Sequence, residues 1–144
     1  RPKTEESMTT TKMATLPVDD ITERLNKDAE FLLTARFWYC DIRFVIGVEQ
    51  YFMHIENGKV DSFTHGTNGF DPYTINLGGP EDVWERMFEE IPRPYYHDWF
   101  AASFHHEFEF GGDLESAYAY YYALRRIKAM MGAAMRASYP AKAA

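Results

Sequence analysis

Cysteine, positive charge and long apolar runs are all scarce in this sequence. Among the 144 residues, Cys40 is the one cysteine, which excludes an internal disulfide and a cysteine-based zinc site. No stretch reaches the roughly 18 apolar residues of a membrane helix. The net charge of −7 disfavours nucleic acids and anionic membrane surfaces as partners, because their phosphates would be repelled. Together with the missing apolar core of a signal peptide, these features predict a cytoplasmic protein.

Motifs of the common enzyme classes are also missing. The sequence contains no Gly-x-Ser-x-Gly elbow, no phosphate-binding or dinucleotide-binding glycine loop and no His-Glu-x-x-His pair. The run HHEFE concentrates imidazole and carboxylate groups, but on a strand His105, Glu107 and Glu109 share one face without the spacing of metal ligands. We therefore predict no catalytic residue, no metal site and no cofactor.

Aromatic residues, by contrast, are abundant. They make up 17% of the chain, as 11 phenylalanines, 10 tyrosines and 3 tryptophans. Each such ring buries about 150 to 250 Å² when it enters a core or lines a cavity. The length is that of a single domain. We expect a flexible polar arm over 1–16, one domain over 17–137 and a C-terminal tail over 138–144.

The first half of the predicted domain combines one helix with three strands. The stretch 18–35 is amphipathic, which predicts a single helix. Residues 38–46 alternate between apolar and polar side chains, as a half-buried strand does. The pair Asn57-Gly58 predicts a two-residue type I′ turn between two antiparallel strands.

A fourth strand and a second helix follow. Tyr73, Ile75 and Leu77 alternate with polar residues, which predicts a strand. The stretch 80–91 carries acidic residues in its first turn, and Pro92 stops it, so we predict a short helix there.

The last third predicts a fifth strand and one long helix, after an ambiguous segment that contains Pro94. The run FHHEFEF alternates, and its inward face would carry Phe104, His106, Phe108 and Phe110. Gly111 and Gly112 would permit a tight reversal, and Asp113 would begin the helix. Strands that alternate in this way, mixed with helices, predict an α+β fold with a five-stranded, mostly antiparallel sheet.

Tyrosines cluster near the start of that long helix. At about 100° per residue, Tyr118, Tyr121 and Tyr122 would lie on one side and Tyr120 roughly opposite. A tyrosine stripe at this spacing is typical of a core, but it also suits the wall of a pocket that holds an apolar ligand.

The stretch from Tyr51 to about Met131 resembles the sterol carrier protein 2 (SCP2-like) lipid-binding domain family. The resemblance rests on the hairpin YFMHIENGKV, the strand PYTINLGG before the acidic helix EDVWERMF, a proline-containing link, and FEFGGD before the final helix. It implies an α+β fold in which the sheet and helices enclose a hydrophobic cavity for sterols, fatty acyl groups or similar apolar molecules. It implies no catalytic residues.

The resemblance makes the inward rings and aliphatic side chains candidate ligand-binding residues. These candidates are Trp38, Ile42, Phe44, Ile75, Leu77, Trp84, Phe88, Phe108, Phe110, Tyr118, Tyr121 and Tyr122. To them we add His106, because an imidazole on an apolar face either orients a ligand or is a hydrogen-bonded core histidine. An aromatic or terpenoid ligand is as compatible with these residues as a sterol.

Two other functions remain open at this point. The same fold serves an accessory or oligomerisation subunit of a larger enzyme if Tyr120, Tyr139 and the segment PRPYYHDWF form an interface. A small cone-shaped enzyme of the nuclear transport factor 2-like class would use His54, Asp71 or His106 as acid or base. The order of elements disfavours the enzyme, because such folds end on strands.

Overall fold

A computed structural model of the chain describes residues 14–66 and 71–138. The predicted contact residue Tyr139, most of the predicted arm and most of the predicted tail lie outside these ranges. In chain order the elements are α1 (Val18–Lys27), α2 (Ala29–Thr34), β1 (Cys40–Ile46), β2 (Glu49–Glu56), β3 (Lys59–His65), β4 (Ile75–Gly79), α3 (Glu81–Met87), α4 (Trp99–His105), β5 (Glu109–Gly112), α5 (Leu114–Ala119) and α6 (Tyr121–Ala137).

The strands form one sheet of five, in the order β3-β2-β1-β4-β5. The central strand β1 pairs antiparallel with β2 and parallel with β4. The pairs β2–β3 and β4–β5 are antiparallel. The predicted α+β class and mostly antiparallel sheet are therefore confirmed.

The predicted hairpin turn is also confirmed. Asn57 and Gly58 have φ angles of 50° and 79°, as a two-residue type I′ turn requires. Glu56 pairs with Lys59 across it. The N–H of Gly58 donates to the carbonyl of Trp38 at 2.9 Å, so the turn is anchored to the chain that enters β1.

The single N-terminal helix predicted from amphipathicity is instead two helices. Asp28 adopts an extended conformation (φ −83°, ψ 113°) between α1 and α2. Its carboxylate accepts a hydrogen bond from the N–H of Phe31 at 2.8 Å and so caps α2. The cap and an ion pair to Arg126, at 2.8 Å, stabilise the break.

The predicted fifth strand begins too early. Phe104 and His105 belong to α4, which starts after Asp98 because that carboxylate accepts from the N–H of Phe100 at 3.1 Å. Phe104, predicted to point inward, is 78% exposed. The two glycines after Phe110 belong to β5, and the reversal comes between Gly112 and Asp113.

The C-terminal helix is divided at Tyr120, whose backbone leaves helical geometry (φ −114°, ψ 31°). Tyr120 was predicted to point away from the core as an interface residue. Its ring instead stacks on Trp38 with centroids 4.8 Å apart. The side chains of α5 and α6 therefore do not line up on the faces that one continuous helix would give them.

One face of the sheet is buried against the helices, and the other is half-exposed. The strict alternation of β1 places Ile42 and Phe44 in the core and Asp41 and Arg43 on the outer face. The helices α1 and α2 both pack against α6. Leu16 is buried as well, and its N–H donates to the hydroxyl of Tyr51 at 3.1 Å.

Candidate ligand-binding site

Most of the predicted ligand-binding residues lie together in the layer between the sheet and the helices. Each of them is at most 7% exposed. They are Trp38, Ile42, Phe44, Ile75, Leu77, Trp84, Phe88 and Phe108. Trp84 is central to the ring-bearing part, with its ring centroid 5.3 Å from that of Phe108 and 5.6 Å from that of Phe88. These rings pack on one another, and their assignment to a ligand cavity stays a prediction.

A second group of rings lies nearer the surface, where α4, β5, α5 and α6 meet. We call Phe100, Phe110, Tyr118 and Tyr121 the aromatic cluster. Phe100 is its centre, with ring centroids 4.4 Å from Phe110, 4.8 Å from Tyr121 and 5.0 Å from Tyr118. Tyr118 is 62% exposed, whereas the other three are half-buried. The cluster is thus an aromatic surface backed by the core.

Two stacked pairs of rings connect α4 to β5 and the residue before it, one pair among the buried rings and one in the aromatic cluster. Trp99 of α4 stacks on Phe108, which precedes β5, with centroids 5.8 Å apart in the core. Phe100 and Phe110 stack at 4.4 Å near the surface. A displacement of α4 would therefore open both pairs at once.

Polar groups near the cluster are few and specific. The N–H of Phe100 is shared between the carboxylate of Asp98 at 3.1 Å and the hydroxyl of Tyr121 at 3.4 Å. A tyrosine hydroxyl that accepts a hydrogen bond still carries a proton to donate. Tyr121 can therefore offer one polar contact to a molecule that lies on the rings.

The remaining predicted site residues do not face the buried layer. Tyr122 is 70% exposed and lies beyond the helix break at Tyr120. His106, predicted on the inward face of a strand, follows α4 and is half-buried. Its ring stacks on Tyr96 with centroids 3.7 Å apart, and its Nε2 lies 3.4 Å from the carbonyl of Pro94. The prediction of an inward His106 is wrong, because the predicted strand begins only after it.

Trp99 and Phe100 are the important rings that the sequence reasoning missed. The signal was present: Asp98 is a good N-cap residue immediately before the run WFAAS. The alternation of FHHEFEF masked it, since that pattern fits a strand through the end of the helix.

The outer face of the sheet is polar, and side chains on it hydrogen-bond to one another. Asn76 is 3% exposed; its Oδ1 accepts from Nε of Arg43 at 2.6 Å, and its Nδ2 donates to Glu109 at 2.8 Å. An open groove of about 520 Å³ passes over these residues. Arg43, Asn76 and Glu109 are hydrogen-bonded to one another along this polar groove, so it offers little to an apolar ligand.

The same face carries a histidine between carboxylates. Nδ1 of His54 lies 2.7 Å from Asp41 and Nε2 lies 3.1 Å from Glu56. These hydrogen bonds, to Asp41 first and Glu56 second, raise the pKa of His54. Among the described residues, ligand atoms of His54, Glu56 and Asp61 lie within 4.8 Å of one another, which is close enough to hold a metal ion. Both ring nitrogens of His54 are already hydrogen-bonded to carboxylates, so we interpret the group as a charge network.

Comparisons with known proteins agree with this architecture. A crystal structure of sterol carrier protein 2 superposes with a TM-score of 0.65 over 79% of this chain and 92% of that one, at 11% identity. A solution structure of a conserved hypothetical protein from Thermus thermophilus, described as possibly a sterol carrier protein, gives a TM-score of 0.63 over 85% and 92%, at 12% identity. The chain has the sterol carrier protein 2 fold.

The SCP2-like fold is therefore found at a sequence identity too low to reveal it by alignment. No protein-family model matches this sequence, and no curated protein does. The cone-shaped enzyme fold, considered as an alternative, is not what the chain adopts. None of the helices within the described residues has the length and apolar character needed to cross a bilayer.

Proposed function

We propose that this protein binds a hydrophobic small molecule between its sheet and helices and admits it at the aromatic cluster. The observation that carries the proposal is the paired stacking of α4 on the β5 segment, Trp99 with Phe108 inside and Phe100 with Phe110 outside. The fold supports it, because one of the similar structures is that of a sterol carrier. Apolar contact would supply the affinity, and the Tyr121 hydroxyl would orient the ligand.

The short length of α4 and the irregular segment before it suit an entrance for the ligand. The helix has 7 residues and is too short to be stable without tertiary packing. It follows an irregular segment that contains Tyr95 with a positive φ of 69°. Half-exposed stacked rings also cost free energy in water, which a bound apolar molecule would recover by covering them. The short helix and its rings would therefore exchange core contacts for ligand contacts.

A binding titration with lipid-stripped protein tests the proposal. A fluorescent fatty acid is titrated into the protein, then displaced with unlabelled fatty acids and sterols. We expect saturable binding at micromolar concentration. The absence of binding with every one of these ligands, in protein shown to be folded by circular dichroism, would contradict the proposal.

Two variants on α4 locate the site. Phe100→Ala removes the centre of the aromatic cluster, and loss of its stacking should weaken binding about tenfold. Phe104→Ala is the matched control, since Phe104 lies on the same helix but is 78% exposed. If both variants bind like the parent protein, the ligand does not contact the aromatic cluster.

A further inference from the structure

The two edges of the five-stranded sheet differ in how their backbone groups are used. A strand at an edge presents N–H and carbonyl groups that can pair with another chain, so natural proteins usually cover, bend or charge such a strand. In this sheet the edge strands are β3 and β5. The backbone of β3 is blocked, whereas that of β5 is open.

A side chain blocks the edge of β3. Nδ2 of Asn26 in α1 donates to the carbonyl of Val60 at 2.9 Å, and its Oδ1 accepts from the N–H of Val60, also at 2.9 Å. The amide of Asn26 thus pairs with Val60 as a peptide group of a further strand would. The β2–β3 ladder also shifts register between His54 and Ile55, and such bulges bend an edge strand. Both features disfavour a further strand beside β3.

The edge of β5 presents two residues with open backbone groups. The N–H of Asp113 donates to the carbonyl of Thr74, which fixes the phase of the antiparallel β4–β5 ladder. By the alternation of such a ladder, the N–H and carbonyl groups of Phe110 and Gly112 point away from β4. Within the described part of the chain, nothing hydrogen-bonds to these four groups. They have the spacing that a neighbouring strand requires.

The charge along the β5 segment is negative. Glu107 and Glu109 both line the groove on the outer face of the sheet. Asp113 and Glu115 follow the strand, and all four carboxylates belong to exposed residues. No lysine or arginine lies between Glu107 and Glu115, and Arg43 of the same groove is on β1, two strands away. Two such edges side by side would bring like charges together, which disfavours a second copy of this chain and favours a cationic partner.

The helix side of the same edge is aromatic. Phe110 stacks there on Phe100, with ring centroids 4.4 Å apart. Tyr118 extends this surface and is 62% exposed. Successive side chains of a strand point to opposite faces of the sheet. A strand added beside β5 would therefore place every second side chain near these rings and the others near Glu107 and Glu109.

We propose that the edge of β5 binds an extended peptide of a partner protein as a sixth strand, and that this peptide alternates apolar and basic residues. The open groups of Phe110 and Gly112 supply the main-chain hydrogen bonds, and the two unlike faces supply the specificity. The partner is a protein, so the proposal goes beyond the binding of a hydrophobic small molecule and stands whether or not that binding occurs.

Three fluorescein-labelled peptides of six residues test the proposal with the lipid-stripped 144-residue chain. KVKVKV alternates, KKKVVV has the same composition and charge without alternation, and EVEVEV alternates with the opposite charge. Fluorescence anisotropy follows binding at about 0.15 M salt, where long-range attraction is screened. We expect a dissociation constant of about 10 to 100 µM for KVKVKV and at least about tenfold weaker binding of the other two. Failure of KVKVKV to bind, or equal binding of KKKVVV, would overturn the proposal.

Amide hydrogen exchange, measured by NMR, locates the bound peptide. In the free protein the amides of Phe110 and Gly112 should exchange faster than that of Gly111, which bonds to β4. Saturating KVKVKV should slow exchange at Phe110 and Gly112 at least about tenfold. Unchanged exchange at both would overturn the proposal. So would protection in the free protein that rises with protein concentration, because a second copy would then cover the edge.

Charge reversal separates this edge from the general acidity of the chain. Glu107→Lys should weaken the binding of KVKVKV about fivefold and strengthen that of EVEVEV. Glu90→Lys makes the same change in charge at an exposed residue of the link after α3, and it should bind both peptides like the parent. Equal effects of the two variants would overturn the proposal, because the attraction would then come from the net charge.

Discussion

Gly112 and Thr74 are in such close contact that a side chain at residue 112 would overlap the carbonyl oxygen of Thr74. The N–H of Asp113 donates to that same oxygen at 2.7 Å. Gly112 also has a φ of 96°, a conformation that favours glycine. The last strand is therefore held to the chain that enters β4 by a contact only glycine permits.

Gly112→Ala should accordingly lower the free energy of unfolding by at least about 2 kcal/mol, through backbone strain and overlap. Gly111→Ala is the control, because its φ is not positive and its nearest neighbours to a new Cβ are 3.6 Å away. That variant should stay within about 1 kcal/mol of the parent. Urea denaturation measures both, and equal midpoints would show that the turn adapts at no cost.

Asp28 has two roles that substitutions can separate. Asn keeps an N-cap acceptor but loses the charge, so Asp28→Asn should cost about 1 to 3 kcal/mol for the lost ion pair with Arg126. Asp28→Ala loses the cap as well and should cost about 1 kcal/mol more. Thermal unfolding at pH 7 compares them. Identical losses in the two variants would mean that the cap contributes nothing.

The carboxylate of Asp28 also predicts how the stability of the protein changes at acid pH. The hydrogen bond from Arg126 is the main cause that lowers the pKa of Asp28. A lowered pKa gives stability that is present above the ordinary carboxyl pKa of about 3.9 and is lost as the pH falls through the lower folded value. The stability difference between parent and Asp28→Asn should therefore shrink below about pH 4. A constant difference down to about pH 2 would contradict the assignment.

His54 predicts a pH dependence of stability of the opposite sign. Its pKa is raised, by Asp41 first and Glu56 second. The stability it contributes is present below about pH 6.5 and is lost as the pH rises through the raised folded pKa. The residue is partly exposed, so the effect should stay under about 1 kcal/mol. In an NMR titration, Asp41→Asn should lower the pKa of His54 more than Glu56→Gln does, and the reverse order would contradict the geometry.

Cys40 should be unreactive in the folded protein. It is 4% exposed, and burial raises the pKa of its thiol to about 11. The thiolate is the reactive form, so a thiol reagent at about pH 8 should label native protein very slowly and urea-unfolded protein completely. Rapid labelling of the native state would indicate that β1 opens readily.

Local signals in the sequence were sufficient for β1, β2 and β3 but not for the start of β5 or for the site. The hairpin at Asn57-Gly58 and the alternation of β1 follow from backbone geometry and from burial of one face, so a short stretch contains all the information. Two signals conflict in the sequence of α4 and β5: the cap at Asp98 predicts a helix, and the alternating pattern predicts a strand. Burial of Trp99 in the core favours the helix.

The ring residues illustrate a second limit. Periodicity indicates that Phe108 faces inward, but it does not tell whether the space beyond is filled by another ring or by a ligand. The break at Tyr120 separates Tyr122 from Tyr118 and Tyr121, with which it was predicted to share one side. The ring at the break stacks on Trp38, which is distant in sequence, so a local pattern could not reveal it. The burial of Lys128, whose ammonium donates to the carbonyl of Met87, could not be predicted either, because a lysine in a helix is ordinarily exposed.

The ion pair between Asp28 and Arg126 joins residues 98 positions apart. The same helix supplies the carbonyl of Leu124 that accepts from the indole of Trp99 at 2.9 Å. During synthesis, at about 5 to 20 residues per second, the first helices would thus wait on the order of 5 to 20 seconds for α6 to leave the ribosome. Over that interval the nascent chain exposes apolar surface that α6 later covers, and such transient exposure makes a chain prone to aggregation.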